Sequence, residues 1–184
     1  MNDTIMKKED NYSERSMESL AAEVREKIHS LVKKGYSPSL IEGWIKEAVS
    51  PGGLTITTDY RILLTESGKE IVMRPLEKAL YLFFLQHEPG CRFKELPQHN
   101  DELLRIYNRI TVFDDIQENQ RRISRLVDPL SKSFLEKCSV IRRSFLSVMT
   151  SIEAESYCIT GSRGELRRIL LDRSLVKWET KPLQ

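Results

Sequence analysis

Apolar residues recur at helical spacing along most of this chain, and at strand spacing in a few short stretches only. Leu20, Val24, Ile28 and Leu31/Val32 repeat every three to four positions, which predicts a helix stopped at Gly35. Ser37-Pro38 opens a second helix, with Leu40, Ile41, Trp44, Ile45 and Ala48 on one side. Proline suits the first helical turn, where its missing N–H costs nothing. A helix pair this short cannot bury two apolar faces by itself. It is expected to pack on the rest of the chain or on a second copy. Ser50-Pro-Gly-Gly53 marks the boundary after it. Residues 1–16 are polar and expected to be flexible. The expected organisation is thus a flexible start (1–16), a helical hairpin for assembly or docking (17–50) and a second domain (54–178).

In that second domain Leu54-Thr-Ile-Thr-Thr58 alternates as a strand does. Tyr60-Arg-Ile-Leu-Leu64 and Glu70-Ile-Val-Met73 follow, with Glu66-Ser-Gly-Lys69 as the turn between them. These three stretches predict a small antiparallel sheet. Leu76, Ala79, Leu80, Phe83 and Phe84 form a strongly apolar helix that ends before Pro89-Gly90. Asn100 is positioned to cap a helix reaching Ile110, with Leu103, Leu104, Tyr107 and Ile110 inward. Ile116, Gln120, Ile123 and Val127 predict a further helix, closed by Asp128-Pro129. Ser133-Phe-Leu-Glu136 fits a capping box, in which the Ser and Glu side chains each satisfy a free backbone N–H. The helix predicted from it, 134–149, carries Cys138, Ile141, Phe145, Val148 and Met149 on one face. Ser139, Arg142, Arg143 and Ser147 fall on the other face. Tyr157-Cys-Ile-Thr and Leu166-Arg-Arg-Ile-Leu-Leu171 then read as the strands of a hairpin, with Gly161-Ser-Arg-Gly164 between them.

Charge sharpens this picture. The chain has 184 residues and a formal net charge of +2, which by itself favours no partner. Residues 121–184 hold 13 Lys/Arg and 7 Asp/Glu, while residues 1–120 hold 16 and 20. Positive charge therefore collects where the capped helix and the hairpin lie. Cys91, Cys138 and Cys158 are far apart and form no CxxC, and His29, His87 and His99 do not cluster with them. That predicts no zinc site and fits reduced, packed thiols in a cytoplasmic protein. No apolar run reaches the length of a membrane span, and the first residues lack the apolar core of a signal peptide. Asp101-Glu102 and Asp114-Asp115 are paired acids, a pattern usual on solvated surfaces. No local motif joins a nucleophile to a base, so no enzyme and no cofactor are expected.

A helix with an outward arginine face, followed by a hairpin with arginine at its tip, is the layout of a winged helix. The helix can enter a major groove while the hairpin grips phosphates. The candidate DNA-binding residues are Ser139, Arg142, Arg143 and Ser147 on the helix, with Arg163, Arg167 and Arg168 on the hairpin. Arg167 and Arg168 alternate along one strand, so at most one of them should face a ligand beside the wing. Arg121, Arg122 and Arg125 line the helix around 115–127 and fit a solvated face better than a binding one.

The order of elements resembles the effector domain of the OmpR/PhoB-type response regulators over residues 54–171. Lys69-Glu-Ile-Val-Met-Arg-Pro-Leu-Glu-Lys-Ala-Leu-Tyr-Leu-Phe-Phe-Leu-Gln-His-Glu-Pro-Gly90 is similar to that family's last N-terminal strand, its "L-T-P-x-E" helix start and its "L-x-x-H-P-G" helix end. Phe93-Lys-Glu-Leu96 resembles the start of its second helix. Val140-Ile-Arg-Arg-Ser-Phe145 resembles its recognition helix, and Tyr157 to Ile169 its wing, where the family often has "T-x-R-G-x-G-Y". Arg74 stands where the family usually has Thr, and the helix around 115–127 is an insertion. The resemblance implies a mainly helical α+β fold, a winged helix with a small N-terminal antiparallel sheet, preceded here by the helix pair. The function it implies is a stand-alone, DNA-binding transcriptional regulator without a receiver domain. The alternative is a winged-helix protein-interaction module that meets an acidic protein. Expected partners are double-stranded DNA, RNA polymerase or another regulator, and a second copy through residues 18–49, with no membrane.

Overall fold

The computed structural model describes residues 18–19, 21–48, 51–112, 115–162 and 164–179. The expected flexible start at 1–16, Leu20 and the hairpin-tip Arg163 lie outside the described residues. The chain divides into two units, Met1–Ser50 and Pro51–Gln184.

In the first unit, helix α1 covers 21–33 and helix α2 spans Pro38–Ala48. Gly35 ends α1 with a positive φ of 93°, a conformation that favours glycine. The Tyr36 N–H then donates back to Leu31 O at 3.2 Å. Ser37 Oγ accepts from the Leu40 N–H at 3.3 Å and Pro38 is the first residue of α2, as the sequence predicts. Ile41 is buried, whereas Val24, Val32, Leu40 and Ile45 are exposed, as are Tyr36 and Trp44, whose rings pack together at 5.4 Å.

The second unit is α+β and mostly helical. Its centre is helix α3, Pro75–Gln86, whose residues Ala79–Leu85 are all buried. A helix that is apolar all round must be covered on every side. Here α4 (Asn100–Ile110) and α6 (Ser133–Leu146) pack against it, and α5 (Ile116–Val127) packs against α4 and α6. The α5 region is thus a full member of the helical layer, with Ile123 and Leu126 in the core. Asp115 caps α5 by accepting from the Glu118 N–H at 3.0 Å. A 3-10 segment, Phe93–His99, leads into α4, and the short helix α7 (Ser151–Ala154) follows α6.

Two small sheets flank the helices. In the first, β1 (Leu54–Ile56) is central. It pairs antiparallel with β2 (Ile62–Leu64), Leu54 opposite Leu64. The strand expected at 70–73 is reduced to one bridge, Leu63 with Glu70. The other partner of β1 is β6 (Val176–Trp178), which runs parallel to it, so this sheet is not purely antiparallel as expected. Val176 lies 122 positions after Leu54 in the chain, and a pairing that distant leaves no local pattern to read.

The second sheet has the order β3-β5-β4, where β3 is Cys91–Arg92, β4 is Ile159–Thr160 and β5 is Leu166–Ile169. Both pairings are antiparallel, Cys91 opposite Arg167 and Ile159 opposite Ile169. Gly90 makes this sheet fit. Its φ is +76°, and a Cβ there would stand 2.1 Å from Arg167 O. The long C-terminal segment is anchored by side chains. Arg173 donates to Phe84 O at 3.2 Å, serving a carbonyl in the last turn of α3. Tyr157 Oη donates to Gly52 O at 2.8 Å and ties the hairpin to the start of β1.

Three local expectations differ from the structure. Ser133 does not cap α6. It is the buried first residue of that helix, and its N–H donates to Ser131 Oγ at 3.1 Å. Asn100 does not cap α4, because His99 takes the cap position and Asn100 starts the helix. Helix α6 stops at Leu146 rather than 149. Thr150 begins its own capping box with Glu153, and a backbone committed to that start cannot continue α6 through it.

Candidate nucleic-acid interface

Helix α6 has one buried and one exposed face because Phe134, Ile141 and Phe145 recur on one side of it. Phe145 is fully buried, its ring 5.3 Å from that of Tyr81 and 5.5 Å from that of Tyr157. Leu135, Ser139, Arg142 and Leu146 form one exposed stripe flanking the buried face, about 100° around the helix from it. Arg143 lies beside that stripe and is also exposed. Neither Arg142 nor Arg143 forms an ion pair among the described residues. Pairing with Glu136 or Glu153 therefore does not occupy them; Glu153 instead accepts from the Thr150 backbone and hydroxyl.

The structure splits the candidate residues into groups. Arg142 lies on the hairpin side of α6. Burial pushes the nearby Cys158 thiol up, and the positive charge of Arg142 works against that rise. Arg167 shares this side. Its Cδ lies 3.2 Å from where a Cβ on Gly161 would be, and its charge reaches Cys138 on α6. Arg143 instead lines an open cleft of about 450 Å³ together with Arg74, Glu77, Lys137 and Ser147. Arg168 is apart from both groups, in a depression with Glu88 and Asp172. The alternation along β5 thus separates Arg167 from Arg168, as the strand period requires. Ser139 and Ser147 donate their hydroxyls to carbonyls of α6, Leu135 O at 2.9 Å and Ser144 O at 2.7 Å. Only their lone pairs remain free for a ligand.

Arg122 on α5 is held in place. It pairs with Glu118 at 2.8 Å and donates to Tyr107 Oη at 3.3 Å. Those partners raise its affinity for its proton and keep it on the helical layer.

Two residues of the cleft carry no weight in the sequence reading. Glu77, in the first turn of α3, has a side chain only 2% exposed, and Lys137 Nζ on α6 donates to its Oε1 at 2.8 Å. The bond locks the start of α3 to the middle of α6. The other carboxylate oxygen, Oε2, is buried with no hydrogen-bond partner. A glutamate two positions after a helix-starting proline is a usual helix-dipole residue, so its sequence position hides its burial.

The cysteines behave as packed thiols. Burial pushes Cys138 up to about 12 and Cys91 up to about 11. A free thiol ionises near pH 8.5, so at pH 8 the thiolate of Cys138 should be about 10³-fold scarcer than in an unfolded chain. Alkylation of Cys138 by iodoacetamide at pH 8 is accordingly expected to be slower by about that factor, and to accelerate in urea. Mass spectrometry of a time course measures it, and equal labelling rates with and without urea would refute it.

No family model matches this chain, and no curated protein or solved structure matches it either. Among the described residues no helix is long and apolar enough to cross a membrane.

Proposed function

We propose that residues 54–178 form a winged-helix DNA-binding domain of the OmpR/PhoB type, in a transcriptional regulator that works in the cytoplasm. Helix α6 would enter the major groove and the β4–β5 hairpin would lie along the adjacent backbone. The observation that carries this reading is the joint placement of Arg142 and Arg167 at the junction of α6 and the hairpin, with neither in an ion pair among the described residues. The element order supports it. A helix, a short strand, a 3-10 segment, two further helices, a helix with an arginine face, the short helix α7 and a hairpin follow in sequence, and the short strand pairs with the second hairpin strand. The inserted α5 packs inside the helical layer, which leaves the outward face of α6 free. The exposed apolar residues of α1 and α2 support assembly into a dimer through 18–49. Light scattering on the full chain tests that step, and a monomer at 100 µM would overturn it.

The test of DNA binding is a fluorescence anisotropy titration with random duplex at low salt, repeated across salt concentrations. With three to five phosphate contacts, log affinity should fall against log salt with a slope of about −3 to −4.5. No binding at 20 mM salt would reject the reading. One observation favours a second reading, a protein-interaction module. Leu135 and Leu146 are exposed on the same stripe of α6 as Arg142, and apolar residues there suit a protein surface. On that reading the domain shows no affinity for bulk duplex at any salt, and α6 binds an acidic, partly apolar partner.

A further inference from the structure

The histidines stand apart from the cysteines, as the sequence predicts, but His87 and His99 come together with Glu102 in space. His87 follows α3 as its C-cap, His99 is the last residue of the 3-10 segment, and Glu102 lies in the first turn of α4. Their ligand atoms, one from each residue, all lie within 4.8 Å of one another. His87 Nε2 is 3.6 Å from Glu102 Oε2, and His99 Nδ1 is 3.3 Å from the same oxygen. All three side chains are about a quarter exposed, at 24–28%.

The hydrogen bonding around His87 decides what this cluster needs. His87 Nδ1 is 3.1 Å from Phe83 O. A carbonyl oxygen only accepts, so Nδ1 carries the proton of that bond. In the neutral ring the lone pair is then on Nε2, which faces a carboxylate oxygen at 3.6 Å. Two acceptors face each other, and a cation bound by both makes the contact favourable. A carbonyl that fixes the far nitrogen of a histidine is the usual outer partner of a metal-bound imidazole. Phe83 holds both rings. His87 stacks on it at 4.2 Å, and His99 meets it edge-on at 5.0 Å.

We infer that His87 Nε2, His99 Nδ1 and Glu102 Oε2 bind one divalent transition-metal ion, zinc above all, with water in the fourth position. A tetrahedron with arms of 2.0–2.1 Å has edges of about 3.3 Å, close to the two separations measured to Glu102 Oε2. Imidazole and carboxylate donors without thiolate suit zinc, nickel or copper better than calcium or magnesium. The ion would join the end of α3 to the start of α4 and so brace the turn between the two helices that make the core's largest packing contact. This inference does not rest on DNA binding.

The experiment is calorimetric titration of the EDTA-treated full chain with zinc chloride, paired with thermal melts. The expected result is one equivalent bound with micromolar or tighter affinity, and a melting temperature about 8 °C higher at 100-fold excess over Kd. His99→Ala and Glu102→Gln should each weaken binding at least 10-fold. Failure to bind zinc at 100 µM would overturn the inference. Unchanged affinity in both variants would overturn it too, by placing zinc elsewhere. If a variant fails to fold, Co(II) added to the parent chain decides. Paramagnetic shifts confined to the His87 and His99 ring resonances support the site, and shifts centred on His29 or an absorption band of cobalt–thiolate reject it.

Discussion

Phe145→Ala is expected to destabilise the second unit by about 3–5 kcal/mol while leaving the DNA affinity of the folded protein unchanged. The ring is fully buried and sits between Tyr81 of α3 and Tyr157 before the hairpin. Truncation removes its apolar burial and leaves a cavity between three elements that cannot collapse together, because each is anchored elsewhere. Lys137 and Glu77 hold α6 to α3, and Tyr157 is tied to Gly52. A loss of this size lowers the melting temperature of such a unit by about 10–20 °C. Stabilities of 5–15 kcal/mol leave the variant foldable in the cold. Thermal melts and cold anisotropy titrations measure the two effects separately. A parental melting temperature with lost DNA binding would mean that Phe145 belongs to the reading surface and that the faces of α6 are reversed.

The second large effect is functional. Replacing Arg142 and Arg143 together by Ala should lower DNA affinity at a selected site by about 2–6 kcal/mol, roughly 1–3 for each lost contact. Both side chains are exposed and neither takes part in an ion pair among the described residues, so folding should change by less than about 0.5 kcal/mol. The two arginines lie on different flanks of α6, Arg142 toward the hairpin and Arg143 in the cleft with Arg74. Single variants should therefore differ in kind. If one contacts a base, its loss relaxes specificity at one position. If the other contacts phosphate, its loss weakens every sequence alike and makes the salt slope shallower by about one. Ser139→Ala and Ser147→Ala should be nearly silent, since both hydroxyls already donate within the helix. Parental affinity and salt slope in the double variant would remove α6 from the interface.

These expectations depend on features of very different legibility. The helices and their faces were readable because the apolar period is local. Leu76 to Phe84 announces α3, and Phe145 and Arg143 fall on opposite sides of α6 by arithmetic alone. The stop at Gly35 and the cap at Ser37 were equally plain, since turn chemistry is written in the residue that performs it. Caps gave way where several candidates stood close together. Ser131 rather than Ser133 serves the first turn of α6, and the choice depends on which backbone angle the preceding loop can reach.

What only the tertiary structure decided are the relations between residues far apart in sequence. The parallel pairing of β6 with β1 joins Val176 to Leu54, and neither strand is long enough to signal its partner. Glu77 and Lys137 are 60 positions apart and read as ordinary surface charges until packing buries one of them. His87, His99 and Glu102 belong to three different local elements, and they converge only because α3, the 3-10 segment and α4 fold back on one another. By itself the sequence determined which faces of each helix are apolar and where the basic residues lie along the chain, because burial period and charge are properties of neighbours. Which arginines share a surface, which carboxylate loses its water and which histidines meet were set by the packing of α3 at the centre, since such contacts exist only once the chain has closed around it.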